Sequence, residues 1–530
     1  MPRARIASVF KPGSIALVGA SDRPGTHGDL VRRNLEAAGF EGRVEYVSAT
    51  HREIAGRPAF RGIRDLPQPT DIAIIVTPAA TIPQIIADCG ATGIHGAIIV
   101  SAGFRDGGEA GRELEAEVKR LARLHGVRFL GPNSLGLIRT DIALNASCGP
   151  RQPRPGRLAL VSQSGALCAA MVDWARGRQG GFSTVISTGI GADIGLGEIL
   201  NFLVQDSATD SIMLYTEGVD DARSFMSALR AAARVKPVVI MKAGRHAERP
   251  DAAAFHTGSM VGADDVFDAA MRRAGVLRIR DLYDLFTAAA TLGAGARVRG
   301  RRLAIVSNAG APGALAADHA GDRGLRLPML SEDTAARLQE LLPASSTRAN
   351  PVYVRPDADA AQFASAARIV LDDAGVDALL AILTPYALTD PCGLANELVA
   401  IAGGQRKPVF ACWMGGESVA SSRDIFADHR LPSYSTPESA VDAIAALALH
   451  AANQQQLLQV PSRWAPRRSR TARPRRRSST RRCNRDRSGW TRHSRSASWP
   501  PSAFPCCTAC APGRHPRRSR PRVAWAFRSP

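Results

Sequence analysis

The sequence predicts an α/β protein built on parallel sheets with helices on both faces. Three observations predict it. Short apolar runs of four to six residues recur through the first 460 residues. Each is aliphatic or β-branched at successive positions, the pattern of a strand buried on both faces. Between the runs lie stretches long enough to be crossover helices. The first run is Ser14-Ile15-Ala16-Leu17-Val18-Gly19. Asp71–Val76, Gly96–Val100 and Val127–Leu130 follow, and segment 106–125 is one of the helix candidates.

The formal net charge of +20 belongs almost wholly to one end of the 530 residues. Residues 461–530 hold 20 Arg, no Lys and one acid, Asp486, with four of the nine Cys and four of the six Trp. Residues 1–460 keep 48 basic against 47 acidic side chains. So neutral a body excludes nucleic-acid binding as a reading of the whole chain. With 45% of the chain hydrophobic, the body can bury sizeable cores. At roughly 100–200 residues per domain it should hold about three domains. No run reaches the ~18 apolar residues of a bilayer span, and Met1-Pro2-Arg3-Ala4-Arg5 has no apolar signal core behind it. Cys89, Cys148, Cys168, Cys392 and Cys412 show neither metal-ligand spacing nor a disulfide framework. A reduced, cytoplasmic protein with no metal site and no membrane partner is expected.

An internal repeat sets the domain boundaries. Arg157-Leu-Ala-Leu-Val-Ser-Gln-Ser-Gly165 returns as Arg302-Leu-Ala-Ile-Val-Ser-Asn-Ala-Gly310. Each copy is a strand, a small polar loop and the start of an Ala-rich helix. Each follows a Pro/Gly/Arg stretch suited to a linker, 148–156 and 292–301. The domains are therefore set at 1–147, 150–291 and 301–450, with a tail at 461–530.

Three strand-to-helix loops are candidate anion sites. Gly19-Ala20-Ser21-Asp22-Arg23-Pro24-Gly25-Thr26-His27-Gly28 precedes a helix through Leu30, Leu35 and Ala38. Glycines allow close backbone approach, and a helix start offers free amides and partial positive charge. The spacing is not the standard dinucleotide fingerprint. Ser162-Gln163-Ser164-Gly165 precedes a helix over 166–175; its hydroxyls cap that helix or bind an anion beside it. Asn308–Gly313 is the third loop, with Pro312 at an early helix position.

A histidine segment completes the candidates. The run 237–244 reads as a buried strand, and Ala252–Gly262 follows it. A single His among small residues is more often structural, but these glycines leave His256 exposed on a loop. Neutral imidazole is a good nucleophile near its pKa of ~6.5 and can carry a phosphoryl group. Glu217 ends another strand, in Tyr215-Thr216-Glu217-Gly218, and could orient an imidazole. The residues alone do not link the two.

Taken together, these segments resemble the NDP-forming acyl-CoA synthetase family, the ADP-forming acetate–CoA ligases related to the α subunit of succinyl-CoA synthetase. The resemblance covers about 10–460. It rests on Ser14–Gly28, Ser101–Phe104, Gly131–Gly136, Ser162–Gly165, Lys242-Ala243-Gly244 and His256-Thr257-Gly258, in that order. It implies a Rossmann-like CoA-binding domain followed by two flavodoxin-like, succinyl-CoA synthetase-like domains. It implies that Gly19, Ala20, Ser21, Arg23 and Gly25 meet the CoA phosphates. Thr77, Pro78, Ser101, Ala102, Gly103, Phe104 and Asn133 would line the same cleft. His256 matches the phosphorylated histidine, Glu217 the glutamate beside it, and Ser162, Gln163, Ser164 and Gly165 the helix start that receives the phosphohistidine.

The implied reaction interconverts acyl-CoA, ADP and phosphate with a carboxylic acid, CoA and ATP, through an acyl-phosphate and a phosphohistidine. ATP or ADP and Mg would be held by an ATP-grasp (β-type) domain or subunit, which residues 1–460 do not supply, so this chain is expected to be an incomplete ligase. The alternative is a non-catalytic CoA or acyl-CoA sensor, as in fusions to a protein lysine acetyltransferase. Three positions depart from the family pattern: Phe255 replaces the usual Ser, Ser48-Ala49-Thr50 the usual Asn-Pro-Lys, and Tyr353 the usual Asp after Asn350-Pro351-Val352.

The tail lacks hydrophobic periodicity and is expected to be disordered. A basic nucleic-acid arm and a metal site at Cys507-Thr508-Ala509-Cys510 are two readings. We favour a third, a frameshift product. Arg, Pro, Ala and Ser in such excess are typical of GC-rich DNA read out of frame. Regrouping back-translated codons for 502–510 and 524–529 permits sequences similar to the opening of the family's ATP-grasp domain.

Overall fold

The structure, a computed structural model, describes residues 2–150, 152–176, 181–245, 264–293, 295–387 and 389–459. His256 and the tail with its Cys507–Cys510 pair lie outside the described residues.

The apolar runs form three sheets. The first contains β1 (Ser14–Val18), β2 (Arg43–Val47), β3 (Glu53–Ile54), β4 (Arg57–Phe60), β5 (Ile72–Ile75), β6 (Gly96–Ile99) and β7 (Arg128–Leu130). Their order is β3-β4-β2-β1-β5-β6-β7. Only β3 is antiparallel to its neighbour. Without that edge the order is the 3-2-1-4-5-6 of a Rossmann sheet. Every residue of β5 and β6 is buried, which is why these strands read as unbroken apolar runs. The winding reverses between β1 and β5, so a crevice opens at their carboxyl ends.

The second sheet contains β8 (Gly136–Arg139), β9 (Leu144–Ser147), β10 (Pro155–Ser162), β11 (Phe182–Ser187), β12 (Ser211–Thr216), β13 (Val238–Lys242) and β14 (Leu277–Ile279). The order is β14-β13-β12-β10-β11-β8-β9. Strands β10–β14 are parallel in the 2-1-3-4-5 order of a flavodoxin-type sheet. The antiparallel hairpin β8–β9 adds to the edge through β11.

That hairpin lies within 1–147, the segment read as the first domain, yet its strands belong to the second sheet. Long-range partners decide this. Arg139 is fully buried, and its Nη2 donates to Asp206 Oδ1 at 3.0 Å. Thr184 Oγ1 donates to the Ile138 carbonyl at 2.8 Å.

The third sheet contains β15 (Leu303–Ser307), β16 (Val352–Tyr353), β17 (Ala378–Leu383), β18 (Val409–Trp413) and β19 (Ser433–Tyr434). All pairs are parallel, in the order β16-β15-β17-β18-β19, again 2-1-3-4-5. The repeat in sequence is thus a repeat in topology, with β10 and β15 in the same central place.

The sheets share cores. Phe10, in helix Pro2–Phe10, packs on Phe202 of helix Leu196–Gln205 with ring centroids 4.8 Å apart. Arg128 Nε donates to Asp193 Oδ2 at 2.8 Å. The other face of the second sheet shares one cluster with the third: Leu160 and Val239 with Leu303 and Ile305. Helix Pro437–Leu458 ties the two, since Asn453 Nδ2 donates to the Val276 carbonyl at 2.9 Å and Gln454 Nε2 to that of Gly275 at 2.7 Å.

Candidate functional site

The first cleft lies at the carboxyl ends of β1, β5 and β6. After β1 the chain turns at Gly19 with φ +92°, and a Cβ there would sit 2.9 Å from Thr77 Cγ2. Gly28 packs as closely, because a Cβ there would be 2.1 Å from the Gly19 carbonyl oxygen. These two glycines let the loop fold back against its own helix, His27–Ala38. Thr26 caps that helix by accepting from the Asp29 amide at 3.2 Å. Ser21 Oγ accepts from the Arg23 amide at 3.0 Å, and the Arg23 and Gly25 side of the loop is exposed.

Opposite the loop, Ser101 Oγ donates to the Thr77 carbonyl at 2.5 Å, and the Asn133 amide donates to the Ser101 carbonyl at 2.9 Å. The structure therefore brings the Gly19–Gly25 loop, Thr77, Pro78, Ser101–Gly103 and Asn133 to one edge. Two expectations change. The amides of Gly19 and Ala20 both donate to the Val47 carbonyl, at 2.9 and 3.2 Å, so these two N–H groups are engaged in shaping the loop. The Phe104 side chain is fully buried with Ile82, Ile86 and Val118, behind the cleft wall. A phenylalanine ring gains more by filling that core than by facing water.

The second cleft lies at the carboxyl ends of β10 and β12. Ser162 Oγ donates to the Ser164 carbonyl at 2.9 Å and accepts from the Ser164 amide at 3.0 Å. That tight turn starts helix Gly165–Arg176, one residue earlier than expected. Ser164 Oγ accepts from the Leu167 amide at 3.3 Å, an N-cap bond. Gly165 lies against Leu135, where a Cβ would be 3.2 Å from the Leu135 Cβ. Glu217 is half-buried, one residue past β12. Gln163 joins the two strand ends: its Oε1 accepts from Thr216 Oγ1 at 2.8 Å and from the amides of Glu217 at 2.6 Å and Gly218 at 3.2 Å.

Cys168 and Tyr215, beside these loops, are buried. Burial pushes the Cys168 thiol up to about 12, with a Ser162 hydrogen bond opposing, so this thiol is no nucleophile at neutral pH. Burial and then the Glu217 charge push the Tyr215 phenol up to about 12. Lys242, quoted only as a matching residue, is a site feature that sequence reasoning passed over. It ends β13 in register with Thr216, it is buried, and among the described residues its Nζ has no hydrogen-bond partner. Burial lowers its pKa, with Asp264 opposing. A lysine closing an otherwise apolar strand is the signal that could have found it. Among the described residues no group of three or more His, Cys, Asp and Glu could hold a metal ion, and no helix is long and apolar enough to cross a membrane.

Known proteins share this architecture. Residues 13–140 match the CoA binding domain family, 155–292 the succinyl-CoA ligase like flavodoxin domain, and 303–458 the Ligase-CoA domain. The ADP-forming acetate–CoA ligase I of Archaeoglobus fulgidus is 39% identical over 442 residues, covering 83% of this chain and 63% of the relative. The α subunit of ADP-forming acetate–CoA ligase I of Pyrococcus furiosus is 35% identical over 448 residues, covering 83% and 97%. A solved acetyl-coenzyme A synthetase 1 of Ca. Korarchaeum cryptofilum, in complex with phosphate and ADP, superposes with a TM-score of 0.80 at 32% identity, covering 86% and 99%. A Rossmann-type CoA-binding sheet followed by two flavodoxin-type sheets is the architecture of the three matched domain families taken in order. The chain belongs to the ADP-forming acetate–CoA ligase family. That membership favours the ligase over the acyl-CoA sensor. The chain spans less than two thirds of the Archaeoglobus relative and nearly all of the Pyrococcus α subunit.

Proposed function

We propose that this chain is the CoA-binding, phosphate-carrying part of an NDP-forming acyl-CoA synthetase. Phosphate oxygen attacks the thioester carbonyl of acyl-CoA; the C–S bond breaks and CoA leaves as the thiol. A ring nitrogen of His256 then attacks the phosphorus of the acyl-phosphate; the P–O bond to the acyl group breaks and the carboxylate leaves. ADP takes the phosphoryl group from His256 and becomes ATP. Run backwards, the same steps make acyl-CoA from a small carboxylic acid. Each transfer depends on positioning and charge stabilisation.

The carrying observation is the junction of β10 and β12. There a capped helix start, whose Gly165 and Ala166 amides make no hydrogen bond among the described residues, and the Glu217 main chain are tied to each other through Gln163. In this reading Glu217 orients the histidine, the Gly19–Gly25 loop with Thr77, Pro78, Ser101–Gly103 and Asn133 holds CoA, and Ser162, Ser164 and Gly165 receive the phosphohistidine. The nucleotide and Mg belong to an ATP-grasp partner, as the α-subunit name of the Pyrococcus relative suggests. A cytoplasmic setting fits free CoA and nucleotide.

Incubation with phosphorus-labelled acetyl-phosphate should place acid-labile label on His256 of the wild-type chain and none on His256→Ala. Label on the variant at the wild-type level would contradict the proposal.

A further inference from the structure

Gln163 stands one residue past β10, and both its main chain and its side chain reach β12 and the two residues after it. Its backbone amide donates to the Tyr215 carbonyl at 3.3 Å. Its side-chain oxygen takes three donors at the end of β12, two of them backbone amides. Those amides fix which end of the carboxamide is the oxygen, because its NH2 group cannot accept. Glu217 is the middle residue of the three. No hydrogen bond holds the Glu217 carboxylate among the described residues, and what the fold fixes is the place of its main chain. Gln163 grips that main chain, while its neighbours Ser162 and Ser164 build the helix start.

The third sheet repeats the device at the same position. Asn308 Oδ1 accepts from the Thr384 amide at 2.8 Å, and Asn308 Nδ2 donates to the Thr384 carbonyl at 2.8 Å. A carboxamide after the strand-end serine is therefore how this topology ties its first strand to the neighbouring strand. In the second sheet the tied residue is an acid, and the longer side chain takes both the amide of that acid and the one after it.

We infer that Gln163 is a positioning residue for phosphoryl transfer: its Oε1 holds Glu217 in register with the helix start at Gly165. This differs from the expectation that Gln163 touches phosphate, and it rests on the proposed function. The test compares wild type, Gln163→Leu and Gln163→Glu in the full chain. Two quantities are read: amide hydrogen exchange at Glu217 and Gly218, and the rate of histidine labelling against acetyl-phosphate concentration. In Gln163→Leu, exchange at both amides should rise about tenfold, one hydrogen bond's worth. Its maximal labelling rate should fall by roughly 100-fold, with the half-saturating concentration little changed. Gln163→Glu keeps an oxygen for the same three donors and should return both quantities to within a few-fold of wild type.

Unchanged exchange in Gln163→Leu would overturn the inference. So would a loss of thermal stability with undiminished labelling by the folded protein, the mark of a structural role alone. A direct phosphate contact would instead raise the half-saturating concentration in both variants, with Gln163→Glu the worse, and would also overturn it. Absence of label on the wild type would contradict the functional reading and this inference together; it is told apart because it needs no substitution.

Discussion

After β10 and after β15 the chain makes the same move. Ser162 bonds both the carbonyl and the amide of Ser164, and Ser307 does the same to Ala309, donating at 2.7 Å and accepting at 3.1 Å. A carboxamide follows in each, Gln163 or Asn308, and reaches the end of the neighbouring strand. The backbone device is therefore common to both sheets, and the differences lie in three side chains. Glu217 stands where the third sheet has Thr384. Gln163 takes three donors, whereas Asn308 closes a two-bond ring on Thr384 alone. Ser164 caps the amide of Leu167, whereas Ala309 has no hydroxyl and the equivalent third helical residue is Pro312, which has no amide to cap. The comparison teaches that the loop geometry comes from the fold and the acid and cap are added to it.

The largest effect that could break this contrast is on rate. Glu217→Gln should slow histidine labelling by acetyl-phosphate about 100-fold or more, and Thr384→Val should leave it within twofold. Equal losses would mean that the two strand ends do not differ as described. Next in size is a pH effect on the packing between the two sheets. His450, on the helix that ties them, is buried, and burial and then Arg297 hold its pKa down at about 4. The unfolded chain binds its proton nearer pH 6.5, so between those values the unfolded state holds more protons. Stability is full above pH 6.5 and falls as pH drops towards 4, by about 2 kcal/mol at pH 4.5. Urea midpoints at pH 7 and 4.5 measure it, and His450→Leu should flatten the fall. Asp284 runs the other way. Burial, then Asp281, raises its carboxyl to about 7, so its contribution is lost as pH rises from 4 through 7.

Smaller still, Asn308→Ala removes both bonds to Thr384 and should cost about 1.5 kcal/mol in urea unfolding while histidine labelling proceeds at the wild-type rate. A rate loss there like that of Gln163→Leu would erase the distinction between the loops. Smallest is the cap. Ser164→Ala should cost about 1 kcal/mol, and Ala309→Ser should gain nothing because Pro312 offers no donor. A stabilised Ala309→Ser protein would show that the third helix starts differently.

Much of the fold is legible because its signals are local. β5 and β6 are continuous apolar runs since both faces are covered, and the loop after β1 is marked by the glycines its turn requires. The match of 157–165 to 302–310 announces two like sheets, and both take the same strand order. The order of motifs was enough to indicate the family. Less of the candidate site could be read. That the amides of Gly19 and Ala20 are engaged by the Val47 carbonyl is not announced by the glycine-rich loop itself. Phe104 looks like cleft lining until its ring is seen packed with Ile82 and Ile86. Gln163 and Glu217 are 54 residues apart, and nothing near either one announces the other.

By itself the sequence determined the strands, the strand-to-helix loops, the likeness of the 157–165 and 302–310 units and the neutral character of the body, because each depends on residues close in the chain. Only the tertiary structure decided that the 136–147 hairpin joins the second sheet, that the last described helix ties the third sheet to the second, and that Gln163 holds Glu217. Those outcomes depend on strand order and buried hydrogen bonds between distant residues. The physical reason is that a buried polar group takes whichever partner the packed sheets bring to it, and the local pattern names the group without naming the partner.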